Sequence, residues 1–253
     1  MTGRGLTAPF LKTVTLLPDR ADWDRFPFDR LGFLKARTFR LDFVTPVTFF
    51  VGENGTGKST LLRAIADLCG FHAGGGGAGH RLHATADDAP SALAPALRPS
   101  WLPKVSRGFF FRSDTFADVA RYLDDAGNPD IHGGQGLLER SHGESFLALF
   151  GDRFTARERS MYLMDEPENA LSPTRQFGLL RLIRGWEASG NAQIVIATHS
   201  PILMSYPGAT ILLFDDDGIA PVAYEDTEHY QVTKAFLANP RRTLDELFRD
   251  DDQ

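Results

Sequence analysis

A glycine-rich segment in the first quarter of the chain contains residue types that bind phosphate groups. Residues 52–60 read GENGTGKST and match the pattern G-x-x-x-x-G-K-[ST]. Glycines let successive backbone N–H groups turn inward, and the N-terminus of a following helix adds partial positive charge. The segment therefore predicts a loop that binds the phosphates of a nucleotide. The predicted binding residues are Gly52, Glu53, Asn54, Gly55, Thr56, Gly57, Lys58, Ser59 and Thr60.

Lys58 and Ser59 complete this pattern and are expected to have different tasks. The ammonium group of Lys58 is suited to reach the β- and γ-phosphates, and the Ser59 hydroxyl is suited to ligate a Mg²⁺ ion that bridges them. The alternative is an ordinary glycine-rich turn between a strand and a helix. A β-branched and aromatic strand at Val47–Val51 before the loop, and an apolar helix after it, favour phosphate binding.

Two acidic residues follow a short apolar strand predicted at residues 161–164. Asp165 and Glu166 would lie at the end of a buried strand, where an unused charge is costly. Beside a phosphate loop such residues have specific uses. Asp165 is expected to bind Mg²⁺, and Glu166 is expected to polarise the water that attacks the γ-phosphate.

A histidine occupies the same kind of position after another apolar strand. Residues 193–197 read QIVIA, and Thr198, His199 and Ser200 follow them. Ligands of open α/β sheets bind beyond the carboxyl ends of the strands, and three apolar runs of this chain end in such residues. We therefore expect His199 to sense the γ-phosphate, although an isolated histidine after a strand is more often structural.

Ser141 and Gly143 lie at the predicted start of a helix that carries Phe146, Leu147 and Phe150. A serine can cap such a helix, and a helix N-terminus attracts anions, so this segment is a second candidate anion site. Taken alone, the signal is weak.

The elements that must position these residues form an alternating strand and helix pattern, which predicts an α/β fold with a mostly parallel core sheet. Residues 11–16 and 38–43 are expected to form an antiparallel β flap. Residues 71–155 are expected to form an inserted flexible and helical lobe within a single domain, residues 1–253, and residues 73–103, rich in Gly, Ala and Pro, predict a flexible excursion. Further strands are predicted at 105–111, 210–214 and 221–224, and helices at 116–123, from Ser172 and Pro173 to Gly190, at 228–238 and at 243–249.

Composition limits the remaining functions. The 253 residues are 42% apolar, and 27 basic against 33 acidic residues give a net charge of −6 without any run of Lys or Arg, so nucleic-acid binding is not indicated. The single Cys69 excludes a disulfide framework, and no segment resembles a signal peptide or a membrane span. We expect a cytoplasmic protein. A metal site could be suspected at His72, His80 and His83. We expect solvated loop histidines instead, because no cluster of Cys or carboxylate ligands accompanies them.

The order of the motifs resembles the ATP-binding-cassette (ABC) ATPases. GENGTGKST, SHGES, YLMDEPENALSP and IATHS follow one another over essentially the whole chain. The chain is most similar to the small stand-alone bacterial ATPases of this group, often described as AAA ATPases, which carry SHGESF, DEPE-ALSP and ATHSPIL. The resemblance implies ATP and Mg²⁺ as ligands, hydrolysis of ATP, and a homodimer that forms on ATP binding to regulate a partner protein or a nucleic-acid process.

The resemblance also implies roles for individual residues. Ser141, Gly143 and Glu144 match the signature segment, with Ser141 placed 24 residues before Asp165. Asp165 matches the Walker B aspartate, Glu166 the catalytic carboxylate and His199 the switch histidine. Residues 170–172 match the D-loop.

Three departures separate the chain from the usual ABC pattern. The signature has His142 and Glu144 in place of Gly and Gln, Ser172 stands in place of an Asp, and no Gln follows the strand at 105–111. Arg112, Ser113 and Asp114 are open substitutes for that Gln.

Three alternatives to the leading function remain. One is the ATPase subunit of a transporter with a separate membrane chain. A second is a DNA-repair or defence ATPase related to chromosome-structuring heads, although no seven-residue repeat is present. The third is a switch that binds ATP but barely hydrolyses it. Binding of DNA itself stays uncertain, and the Phe26, Pro27 and Phe28 segment is expected to anchor a small core more than to stack on adenine.

Overall fold

The computed structural model describes residues 6–78, 91–125, 146–147, 149–151 and 157–250. Ser141, Gly143 and Glu144 lie outside these ranges, as do His80 and His83. Within the described ranges, no helix is long and apolar enough to cross a bilayer.

In the described part of the chain, six strands form a central sheet. In spatial order they are β5 (Gly108–Arg112), β6 (Ser160–Asp165), β7 (Ala192–Ala197), β3 (Val47–Val51), β8 (Thr210–Phe214) and β9 (Ile219–Pro221). The first five are parallel to one another and β9 is antiparallel to β8. This confirms the α/β fold with a mostly parallel sheet.

Both faces of this sheet are covered, as its apolar strands require. Every residue of β3, β6 and β7 is buried. Along β3, Phe49 packs into the core on one face, whereas Phe50 packs into the core on the other. The helices are α1 (Lys58–Cys69), α2 (Phe116–Asp125), α3 (Pro173–Ser189), α4 (Pro201–Met204), α5 (Glu228–Ala238) and α6 (Pro240–Asp250), and residues 146–147 and 149–151 are also helical.

Helices α1 and α3 supply the opposing cores. Leu61, Leu62 and Ile65 of α1 join the core that contains Phe50, and Leu179 and Ile183 of α3 join the core that contains Phe49. The sheet therefore lies between α1 and α3, and the carboxyl ends of β3, β6 and β7 meet at one edge.

A second sheet of antiparallel strands has the order β2 (Arg40–Asp42), β1 (Leu11–Leu16), β4 (Leu97–Trp101) among the described residues. The expected antiparallel flap is confirmed for β1 and β2. The prediction of a flexible excursion was wrong for residues 97–101, because β4 pairs with β1 along its length and Leu97 is buried. Backbone pairing outweighs the Ala- and Pro-rich composition there.

Several element boundaries also differ from the predictions. Strand β5 begins at Gly108 and not at residue 105. Its pairing with β6 begins there, and Ser106 and Arg107 before it are exposed. Strand β9 ends at Pro221, because Phe214 pairs with Ile219 across a short turn. Helix α6 begins at Pro240, a residue that suits the first turn of a helix. The predicted start of α3 is confirmed, with Ser172 as its N-cap and Pro173 as its first residue, although the Ser172 side chain makes no capping hydrogen bond.

Candidate functional site

The glycine-rich loop joins β3 to α1 with the strand and helix context that the sequence predicts. Gly52, Gly55 and Gly57 have φ angles of 134°, 84° and 100°, which favour glycine over other residues. Gly52 also permits a close approach of β8, because a Cβ at this residue would lie 2.2 Å from the carbonyl oxygen of Phe214. Gly57 is the N-cap of α1, so the loop ends at the positive end of that helix.

Lys58 folds over this loop. Its Nζ donates hydrogen bonds to the carbonyl oxygens of Gly52 at 2.7 Å and Glu53 at 2.8 Å. An ammonium group has three protons, so one remains for an anion. Burial lowers the pKa of Lys58, while the carboxylates of Glu166 and Asp165 act in the opposite direction. The lysine is thus placed between the loop and the acidic residues.

Ser59 and Asp165 meet at the start of α1 and the end of β6. The Ser59 hydroxyl donates a 2.7 Å hydrogen bond to Oδ1 of Asp165. Asp165 is only 8% exposed, and burial raises its pKa. Hydroxyl and carboxylate oxygens suit Mg²⁺, which typically binds a protein through one or two carboxylates and substrate phosphates. The chemistry of the Ser59 and Asp165 oxygens, which lie 2.7 Å apart, therefore fits Mg²⁺.

Glu166 has a backbone conformation that is uncommon for a residue with a side chain. Its φ and ψ angles are 48° and 55°, and its N–H donates to the carbonyl oxygen of Ala197 at 2.9 Å. The amide Nδ2 of Asn169 donates to Glu166 Oε2 at 2.8 Å. The other carboxylate oxygen, Oε1, lies 3.7 Å from Nε2 of His199. Glu166 is therefore held at the end of β6 with Oε1 directed towards the end of β7.

His199 is hydrogen-bonded to residues from two other parts of the chain. Its backbone N–H donates to Oε1 of Glu168 at 2.6 Å, and its Nδ1 lies 2.8 Å from Nε2 of His229. Its Nε2 is buried and has no hydrogen-bond partner among the described residues. Burial is the main cause of the lowered pKa of His199, and the positive charge of Lys58 adds to it.

Glu168, Asn169 and His229 were not identified from the sequence. Glu168 and Asn169 lie within four residues of Asp165, in the same acidic segment. Their position was therefore a signal in the sequence that they belong to the site. Burial raises the pKa of Glu168, and the hydrogen bond from the backbone N–H of His199 acts in the opposite direction. His229 gave no signal, because it lies 30 residues after His199 and only the fold brings the two together.

A cavity of about 510 Å³ lies beside the phosphate loop. Its walls are residues 52–56 of the loop, the turn after β8 and the first residues of α5, including His229. Phe26 and Phe28 do not line it. Phe28 is buried edge-on against Trp23 at 5.7 Å, which confirms the small-core role, whereas Phe26 is exposed.

Two of the three open substitutes for the missing Gln, Arg112 and Ser113, lie beside Asp165. The N–H of Ser113 donates to the carbonyl oxygen of Asp165 at 3.4 Å. The buried Arg112 binds Asp114 and the carbonyl oxygen of Ala73, and its charge acts to lower the pKa of Asp165. Arg112 is thus held beside Asp165 by buried contacts, and Ser113 is held there by a backbone hydrogen bond.

Two protein families match separate parts of the chain. The family described as "AAA domain, putative AbiEii toxin, Type IV TA system" matches residues 139–205, and the family described as "AAA domain" matches residues 31–89. The first match contains Asp165, Glu166 and His199, and the second contains the phosphate loop.

Individual relatives cover more of the chain. The "Cytochrome c biogenesis ATP-binding export protein CcmA" of Nitrobacter winogradskyi is 31% identical over an alignment of 173 residues that covers 60% of this chain and 76% of that protein. The "Putative ABC transporter ATP-binding protein SCO2324" of Streptomyces coelicolor is 27% identical over 219 residues, covering 77% of this chain. This chain spans only 37% of the length of that second relative.

Among solved structures, the "SMC head domain from Thermotoga maritima" is 15% identical, with a TM-score of 0.47 and coverage of 85% of this chain and 99% of that one. This likeness is too distant to support an argument about function. The match to CcmA is closer, at more than 30% identity over three quarters of that protein, and on that match the chain belongs to the ABC-type P-loop ATPases.

Proposed function

We propose that the chain hydrolyses ATP in the presence of Mg²⁺ and that ATP joins two copies of the chain head to tail. The observation that carries the proposal is the meeting of three strand ends. Lys58 and Ser59 follow β3, Asp165 ends β6 and Glu166 comes directly after it, and His199 follows β7, so residues 141 positions apart share one site.

Each of these residues has a task in the proposed reaction. The inward N–H groups of the loop and the third proton of Lys58 bind phosphate oxygens. Ser59 and Asp165 would hold Mg²⁺, which when bound neutralises negative charge on the phosphates. Glu166 orients the attacking water, and Asn169 supports this task because its hydrogen bond occupies Oε2 and leaves Oε1 to accept from water.

The dimer is proposed because the site is open on one side. The side chains of Glu166 and His199 are 33% and 27% exposed. The signature residues Ser141, Gly143 and Glu144 of a second copy would cover them, with the two copies related by a two-fold axis. ATP would then form part of the interface.

Light scattering on two variants tests the dimer. Glu166→Gln, which should retain ATP, is expected to be monomeric alone and dimeric with Mg-ATP. Ser141→Arg is expected to bind ATP as a monomer and not to dimerise. A monomeric Glu166→Gln protein at saturating Mg-ATP, or a dimeric Ser141→Arg protein, would overturn the proposal.

A second candidate is the ATPase subunit of a transporter with a separate membrane chain. The names of the relatives favour it, because they are described as a transporter ATP-binding protein and an export protein. Purification from detergent-solubilised membranes distinguishes the two functions. A stoichiometric membrane protein that co-purifies with the chain supports the transporter, and its absence together with an ATP-dependent homodimer supports the leading proposal.

A further inference from the structure

The contact between His199 and His229 requires a defined arrangement of protons. Their nitrogens Nδ1 and Nε2 lie 2.8 Å apart, a hydrogen-bond distance, so one of the two must carry the hydrogen. Burial lowers the pKa of both imidazoles, and therefore each has a single N–H at neutral pH. Two arrangements are possible, with either His199 or His229 as the donor.

The surroundings of His199 distinguish these arrangements. If His199 donated from Nδ1, its Nε2 would present a lone pair towards the Glu166 carboxylate, 3.7 Å away. If His229 donates from Nε2, the hydrogen of His199 lies on its own Nε2 and faces that carboxylate. The second arrangement places a positive N–H edge beside a negative charge, so electrostatics favour it.

The unpartnered Nε2 of His199 also lies close to the residues that are proposed to surround the terminal phosphate. It is buried without a hydrogen-bond partner among the described residues, and a buried donor without a partner destabilises the folded protein. It lies 3.7 Å from Oε1 of Glu166, and the positive charge of Lys58 acts on the same imidazole. An anion at this place would satisfy it.

His229 is held firmly enough to act as such a donor, although α5 is otherwise exposed. The preceding Thr227 is 1% exposed and caps α5. Its Oγ1 donates to the carbonyl oxygen of Tyr224 at 2.7 Å and accepts from the N–H of Tyr230 at 3.4 Å. The first turn of α5 therefore has a fixed position at the wall of the cavity beside the phosphate loop.

We propose that His229 is a positioning residue that donates from Nε2 to Nδ1 of His199 and so keeps the hydrogen of His199 on Nε2, where it donates to the terminal phosphate of a bound nucleotide. The proposal rests on the proposed ATPase function. It adds a residue from α5, outside every motif identified in the sequence, and makes the orientation of His199 depend on the start of that helix.

Nitrogen NMR of protein labelled with ¹⁵N-histidine tests the proton position without any turnover. The chain has seven histidines, so the His199 signals are assigned by their absence in His199→Gln. At pH 8 the wild type should show His199 protonated on Nε2. In His229→Leu, the same residue should show a mixture of both tautomers. A wild-type His199 protonated on Nδ1 would overturn the proposal, even if the chain proved not to hydrolyse ATP.

Kinetics of three variants provide the second test. His229→Leu removes the donor and should lower kcat roughly ten-fold or more with little change in the Kd for ATP. In His229→Gln the amide nitrogen can donate to Nδ1 of His199, so most of the activity should return. Gln231→Leu, an exposed change two residues along α5, is the control for altering the helix. Wild-type turnover in His229→Leu, or equal losses in His229→Leu and His229→Gln, would show that His229 is not this donor.

Discussion

The hydroxyl of Ser59 lies 2.7 Å from Oδ1 of Asp165, although the two residues are 106 positions apart in the chain. This contact joins the first turn of α1 to the last residue of β6. It places side by side the two oxygen atoms of the proposed Mg²⁺ site. The protein's own hydrogen bond therefore holds together the residues that would bind the ion.

Asp165→Asn should stabilise the nucleotide-free protein and weaken the binding of Mg-ATP. Burial raises the pKa of Asp165 above its ordinary value of 3.8, so the ionised carboxylate destabilises the fold at neutral pH. This destabilisation disappears as the pH falls through the folded-state pKa towards 3.8. At pH 7 we expect a gain in the free energy of unfolding on the order of 1 kcal/mol, measured by urea denaturation.

The pH dependence provides the check on this explanation. The difference in stability between Asp165→Asn and the wild type should shrink as the pH approaches 4. Asn retains an oxygen that accepts from Ser59, so the hydrogen bond itself is not the variable. A difference that is independent of pH, or a less stable variant at pH 7, would contradict the assigned cause.

Lys58→Met should weaken ATP binding while leaving the fold intact. The variant keeps the apolar stem but loses the charged donor that faces the phosphates. A charged hydrogen bond contributes about 1.5–3 kcal/mol, which corresponds to a loss of roughly 10- to 150-fold in affinity. Isothermal titration with ATP measures it, and Lys104→Met, an exposed lysine before β5, is the control. An unchanged Kd for Lys58→Met is the result this account does not allow.

Gly52→Ala should destabilise the protein far more than Gly55→Ala. The new Cβ at residue 52 would lie 2.2 Å from the carbonyl oxygen of Phe214 and would force β8 away from the loop. At Gly55 no atom lies within 4 Å of the added Cβ, so only the backbone conformation is penalised. We expect a loss of roughly 3 kcal/mol or more at residue 52, against about 1 kcal/mol at residue 55, from thermal unfolding. Equal losses at the two residues would contradict the packing argument.

Gln193→Leu should weaken the attachment of the antiparallel sheet to the central one. The fully buried Gln193 of β7 accepts from the N–H groups of Phe10 and Leu11 at 2.7 and 2.8 Å and donates to the carbonyl oxygen of Leu11 at 3.0 Å. Leucine would leave three backbone groups without partners, at a cost of roughly 3 kcal/mol or more in the free energy of unfolding. The exposed change Gln231→Leu should cost less than about 0.5 kcal/mol. Comparable urea midpoints for the two variants would refute this role of Gln193.

The strand ends that form the site were predictable because their signals are local. The apolar runs before Gly52, Asp165 and Thr198 mark buried strands, and parallel strands bring such ends to one edge. Strand β4 was not predictable from its own residues, since Leu97–Trp101 is ordered by its pairing with β1, more than eighty residues earlier. The contact of His229 with His199 depends in the same way on where α5 begins in space.

The most direct test of the account is the rate of ATP hydrolysis by Glu166→Gln under single-turnover conditions with saturating Mg²⁺. The substitution keeps the shape of the side chain and an oxygen that can accept from Asn169, but it removes the negative charge that orients water. The account predicts a Kd for ATP within about three-fold of the wild type and a hydrolysis rate at least roughly 100-fold lower. Equal rates of hydrolysis in Glu166→Gln and the wild type would contradict it.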